Sequence, residues 1–166
     1  RLYNYVFSYN EVLKKAYDVK VYIEKYNALP KTVMFGSVGV SQVDFLYMVS
    51  RVLSTNNSFY AMGYMAKTSS STSKYGVNIY KNDYASLSKE IAYNFDTYGY
   101  SPVNIKVAGY SLSYEDAYYL LTRAVSYLYV NKNLPNYSTV RNIPHATSSN
   151  ITNTTPTLNP SKITIS

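Results

Sequence analysis

Residues 26–51 read YNALPKTVMFGSVGVSQVDFLYMVSR, and much of the chain restates this stretch. Shifted by 72 residues it falls on Tyr98–Arg123, YGYSPVNIKVAGYSLSYEDAYYLLTR. Tyr26, Pro30, Ser41, Asp44, Tyr47 and Arg51 then meet Tyr98, Pro102, Ser113, Asp116, Tyr119 and Arg123. A shift of 39 gives a weaker copy, in which Val38, Val40, Asp44, Phe45 and Val52 meet Val77, Ile79, Asp83, Tyr84 and Ile91. A shift of 105 brings Leu29-Pro30 onto Leu134-Pro135. Anchors near 30, 69, 102 and 135 thus step by 39, 33 and 33 residues, the spacing of a repeat architecture.

Working outward from the first copy, residues 8–26 carry a helical stripe. Val12, Ala16, Val19, Ile23 and Tyr26 step by four and three, with Ser8 and Glu11 at capping-box spacing. Pro30 stops that helix because it has no N–H and disfavours helical geometry at Leu29. Thr32–Phe35, a Gly36-Ser37 turn and Val38–Val40 predict a hairpin. Ser41 with Asp44 opens the next helix, whose buried stripe is Phe45, Val49 and Val52. That helix is expected to break near Ser54–Ser58, where residues compete for backbone hydrogen bonds. A short helix is expected over 59–67, then an exposed Ser/Thr loop over Thr68–Ser73 and an extended stretch over Gly76–Tyr80. A helix over 83–98 follows, with Leu87, Ile91, Phe95 and Tyr98 on one face. Val103–Leu112 repeats the hairpin around Ala108-Gly109. Ser113 with Asp116 then caps a helix to about Val130, with Ala117, Leu121, Ala124 and Leu128 as its stripe. The fold class is α+β and α-rich: tandem helix, hairpin and helix repeats of about 33–39 residues sharing one core. Residues 1–140 form this repeat module. Residues 141–166, rich in Thr, Ser, Asn and Pro, read as a linker or tail.

Composition narrows the function. With 46% hydrophobic residues the 166-residue chain has apolar surface to bury, which excludes a disordered chain. Its 22 Tyr with no Trp suit a surface that meets polar polymers, and equally suit a lineage that simply favours Tyr. A formal charge of +7 implies a polyanionic neighbour, such as nucleic acid, an anionic membrane or an acidic wall polymer. The cations are spread, so a polybasic arm is absent, and scattered Lys argues against nucleic acid as the partner. No apolar run approaches a membrane span. The absence of Cys removes disulfides, thiolate catalysis and Cys-ligated zinc. Beginning at Arg1, the chain reads as an excised or mature segment.

The repeat unit resembles the pseudomurein-binding repeat, on Tyr22-Ile23, Leu29-Pro30, Val33, Gly36 and Val40–Met48 (VSQVDFLYM). The likeness covers roughly residues 10–140; the copy near 69 lacks the Pro, and the last copy ends before a second helix. The resemblance implies non-catalytic attachment to pseudomurein, the wall polymer of some methanogenic archaea. Such repeats accompany wall-lytic endopeptidases and large surface adhesins. The associated peptidase uses a Cys-His-Asp triad, which a chain without Cys cannot carry. The polymer holds an acidic sugar and glutamyl groups, in keeping with the positive charge.

Catalytic constellations are not visible. His145 stands in the tail beside no acid or nucleophile. Gly36-Ser37-Val38-Gly39 lacks the Lys of a phosphate loop. Glu115-Asp116 are adjacent at a helix start, where carboxylates favour the helix dipole and point apart rather than pairing for glycoside chemistry. No metal-ligand set and no cofactor motif is seen. One set invites a binding role. Asp44, Tyr47 and Arg51 lie at i, i+3 and i+7, on the side away from Phe45, Val49 and Val52, and Asp116, Tyr119 and Arg123 repeat them. A structural reading makes them a cap and a Tyr–Arg stack. A functional reading makes them a ligand stripe, Tyr to a sugar ring and Arg forked to a carboxylate. Lys31 and Lys106 on the hairpins are the next candidates. Asn56, Asn136, Asn150 and Asn153 stand in sequons open to glycosylation outside the cell.

The expectation is therefore a secreted, cell-surface module that binds an acidic wall glycopeptide without chemistry and anchors a larger protein. The alternative is a structural subunit of a fibre or adhesin stalk, self-associating by repeat stacking or by strand addition of Ile163–Ser166.

Overall fold

The computed structural model describes residues 5–55, 63–67 and 71–143. Four helices, α1 (Tyr9–Tyr26), α2 (Gln42–Ser54), α3 (Lys81–Tyr98) and α4 (Tyr114–Asn131), alternate with six short strands. The strands are β1 (Thr32–Phe35), β2 (Val38–Ser41), β3 (Asn78–Tyr80), β4 (Ile105–Val107), β5 (Tyr110–Leu112) and β6 (Tyr137–Thr139).

Local chemistry sets these elements. Ser8 accepts from the Glu11 amide while the Glu11 carboxylate accepts from the Ser8 amide, so α1 opens on a full capping box. Ser41 and Ser113 cap α2 and α4 by accepting from the amides of Asp44 and Asp116. The hairpin β4–β5 turns through Ala108 and Gly109, both at positive φ (52° and 82°), which matches the right-handed twist of its strands. The hairpin β1–β2 turns at Gly36, φ 64°.

The helices obey the 72-residue shift: α1 and α3 start 72 apart, as do α2 and α4. Their first residues step by 33, 39 and 33, so the wide step separates the second helix from the third. Position 63, not 69, is thus the counterpart of Pro30, and the six additional residues come after it. Helix α1 packs on α4 and α2 on α3, while Phe45 of α2 lies 6.0 Å from Tyr118 of α4 and joins the pairs. All four helices and strands β1 to β5 feed one hydrophobic core.

Several expectations change. Residues 63–67 are not helical; Met65 bridges Tyr100, and its amide donates to the Gly99 carbonyl. Residues 56–62 and 68–70 lie outside the described residues. Helix α3 starts two residues earlier than predicted and has no side-chain cap. Tyr26 and Tyr98 are exposed; Tyr22 closes the α1 stripe instead. Among the described residues, no hairpin forms after Leu134-Pro135. Strand β6 pairs antiparallel with β3, Tyr80 opposite Tyr137, and so ties the last copy to the middle of the chain. Packing continues through Ile143, which is 4% exposed, so residues 141–143 belong to the folded unit rather than to a linker. Ile163–Ser166 and His145 lie outside the described residues.

Candidate functional site

The outer-face placement of the predicted stripe is corrected by the structure. Asp44, Tyr47, Asp116 and Tyr119 are 0%, 2%, 3% and 8% exposed. The physical reason is that α2 and α4 are central helices, apolar on more than one face. Leu46 and Met48 in α2, and Tyr118 and Leu120 in α4, are fully buried beside the expected stripes.

Each stripe residue has an internal partner. Asp44 accepts from the amides of Gly63 (3.1 Å) and Tyr64 (2.8 Å), pinning the segment that follows α2. Asp116 accepts from the hydroxyls of Thr72 and Tyr75, and Thr72 in turn accepts from the Ser113 amide. Thr72 is therefore part of a latch rather than of an exposed loop. Tyr47 donates to Asp96 of α3 at 2.7 Å, and Tyr119 donates to Glu24 of α1 at 3.1 Å. Burial, then the neighbouring carboxylate, pushes both phenols above their usual range. Arg51 donates to the Tyr47 hydroxyl. Arg123 lies 4.2 Å over the Tyr119 ring and donates to the Thr139 carbonyl at 2.6 Å. In the middle copy Asp83, Ser86 and Glu90 are exposed.

One member of the set reaches a cleft. Arg123 lines a cavity of about 340 Å³ between α1, α4 and β6. Lys20 and Tyr17 enter from α1, Tyr127 from α4, Tyr137 and Thr139 from β6, and Arg141 from the segment after β6. Three cations and three tyrosines thus converge, and the lining contains no carboxylate. Tyr127 and Tyr137 are 43% and 47% exposed, so their ring faces are available at the rim. Burial, reinforced against the proton by Arg141, lowers Arg123 to about 10, which leaves it cationic at neutral pH. The electrostatic character suits an anion, and the rings suit a sugar or another flat apolar face.

Beside the cleft lies a smaller chamber of about 170 Å³, lined by Ile23, Glu24, Asn27, Tyr119, Asn142 and Ile143. Sequence reasoning missed Lys20, Tyr17, Tyr127, Tyr137, Arg141 and Asn142, because α1 and β6 meet only through packing. Neither Lys20 nor Arg141 has a cation at the matching positions of the other copies, so the repeat carried no signal for them.

Lys31 and Lys106 are exposed on separate hairpins, away from the cleft. Asn136 is exposed between the cleft residues Pro135 and Tyr137. Asn56, Asn150 and Asn153 lie outside the described residues. Among the described residues no group of His, Asp or Glu could hold a metal ion, and no helix is long and apolar enough to cross a membrane.

The model of the pseudomurein-binding repeat matches the chain twice, at residues 3–35 and 108–140. The first match spans α1 and β1, and the second spans β5, α4 and β6. No curated protein and no solved structure matches the chain.

Proposed function

We propose that this chain is a non-catalytic module that binds the acidic wall polymer pseudomurein and holds a larger secreted protein at the archaeal cell surface. The observation that carries the reading is the make-up of the cleft. Tyr17 and Lys20 come from the first matched repeat, while Arg123, Tyr127, Tyr137 and Thr139 come from the second. The two repeats that carry the family signal meet at one cationic, tyrosine-rimmed cleft. Cations that line a cleft can form charge-assisted bonds to carboxylates, and a Tyr face covers a sugar ring at little entropic cost. Of the residues singled out in the sequence, Arg123 belongs to this site. In this reading Lys31 and Lys106 make outlying contacts to a long polymer, and Asn136 on the rim is a candidate glycan acceptor.

The test is retention of the purified chain on isolated pseudomurein sacculi against bacterial peptidoglycan. Selective retention on the former is expected, with Lys20→Ala/Arg141→Ala reducing it more than tenfold. Equal retention on both walls would overturn the reading. Concentration-dependent assembly without retention would favour the stalk.

A further inference from the structure

We infer that the cleft and the chamber beside it form one ordered site for a carboxylate with an amide group directly next to it. The inference rests on the wall-binding reading and adds which chemical units the site distinguishes, and in which order.

The two cavities share a wall. Arg123 stacks on Tyr119, the first lining the cleft and the second the chamber. Lys20 of the cleft pairs with Glu24 of the chamber at 3.0 Å, and Arg141 of the cleft is followed in sequence by Asn142 of the chamber. Their chemistries differ. Lys20, Arg123 and Arg141 offer donors and no acceptor, which is what a carboxylate needs. The chamber offers both kinds of group: Glu24 accepts, while the amides of Asn27 and Asn142 donate and accept. The Asn142 side-chain amide lies 3.3 Å from the Tyr75 hydroxyl, whose one proton goes to Asp116 at 2.7 Å, so in either amide orientation Asn142 keeps an oxygen to accept and an N–H to donate to a carbonyl. Glu24 accepts from Lys20 on one oxygen and from Tyr119 on the other, and each oxygen keeps a second lone pair for an N–H. Ile23 and Ile143, 2% and 4% exposed, supply an apolar wall for the alkyl part of an acyl group.

A second carboxylate would meet Glu24 and be repelled, whereas an amide would find both an acceptor and a donor. The amide has two possible sources: the N-acyl group of a sugar beside an acidic sugar, or the peptide bond that follows an acidic residue.

The experiment is calorimetric titration of the full chain with four defined probes. A hyaluronan tetrasaccharide carries a carboxylate beside an N-acyl group; N-acetyl-glutamyl-alanine amide carries a carboxylate beside a peptide bond. An oligogalacturonate tetramer carries carboxylates alone, and chitotetraose N-acyl groups alone. At least one mixed probe should bind tenfold more tightly than either single-chemistry probe, and the better mixed probe identifies the source. Asn142→Ala should remove that advantage and leave oligogalacturonate binding unchanged, whereas Arg141→Ala should weaken every acidic probe. Equal binding of oligogalacturonate and both mixed probes would overturn the inference, as would an advantage that survives Asn142→Ala. Retention on sacculi, measured in parallel, keeps the two readings apart. Intact retention with no mixed-probe advantage defeats this inference alone, and lost retention defeats the wall-binding reading.

Discussion

The Tyr119 hydroxyl of α4 donates to Glu24 of α1 across 3.1 Å, and the same bond recurs 72 residues away between Tyr47 of α2 and Asp96 of α3. Glu24 and Asp96 are themselves 72 apart, so the duplication closes on itself: the seam between the inner helices is repeated between the first and the last. Each bond crosses a helix pair from a buried ring to a carboxylate at the surface. Tyr47→Phe and Tyr119→Phe keep the ring and lose the bond, at about 1 kcal/mol each because the acids remain solvated. The melting temperature should fall about 2–4 °C per substitution, and the double variant should be additive because the sites are distant. A double variant that melts like the parent would show that the bonds do not set the pairing.

The two aspartates matched by the repeat, Asp44 and Asp116, should differ in their cost. Asp44 serves two backbone amides at zero exposure, so Asp44→Ala strands both and should cost about 3 kcal/mol or more. Asp116 serves two hydroxyls on an exposed strand of chain, and these can turn to water, so Asp116→Ala should cost about half as much. Amide exchange at Gly63 and Tyr64 should speed up selectively in the first variant. Unchanged exchange there would remove Asp44 from its role as a pin.

Asp18 predicts a pH dependence. Burial raises its pKa, against the lowering pull of Lys15 and Lys14, and Oδ1 has no hydrogen-bond partner. A carboxyl whose folded pKa is raised binds its proton more tightly in the folded state. Its contribution therefore falls as pH rises from the unfolded value to the folded one, and the cost is complete above the folded pKa. Asp18→Asn should accordingly melt higher than the parent at neutral pH, with the difference shrinking as pH falls through that window. A difference that is flat with pH, or of opposite sign at neutrality, would mean that the Lys15 pairing outweighs burial.

How far the sequence carried can be judged from particular residues. Ser8, Ser41 and Ser113 located three helix starts, and Ala108-Gly109 located a hairpin, because caps and turns are local chemistry. The Asp44–Tyr47–Arg51 set was legible as a repeated pattern but not as a buried one. Its apparent outer face is covered by residues 63–64 and by α3, whose approach depends on tertiary packing. The pairing of β6 with β3 was not legible for the same reason, since Tyr80 and Tyr137 share no local signal. The cleft inherits that limit: its cations lie on α1, α4 and the chain after β6, and only Arg123 belonged to a pattern visible in the sequence.

Arg123 separates the scaffold from the site. It forms a bond to the Thr139 carbonyl and a stack on Tyr119, so Arg123→Ala should cost about 1.5–3 kcal/mol, more than an ordinary surface change. Lysine restores the charge but not a planar group that can stack and donate together, so Arg123→Lys should recover only part of that loss. Arg141 is exposed, and Arg141→Ala should stay within about 0.5 kcal/mol of the parent. Binding should order these variants differently from melting. Contacts between exposed charges are screened over about 8 Å at physiological ionic strength, so retention of the parent on sacculi should weaken as salt rises. Arg141→Ala should melt like the parent yet bind more weakly and with a shallower salt dependence. Arg123→Lys should melt lower yet keep much of that dependence, because its charge remains in the cleft. If Arg141→Ala retained both the affinity and the salt slope of the parent, the cleft would not be the contact surface, and Lys31 and Lys106 on the hairpins would be tested next.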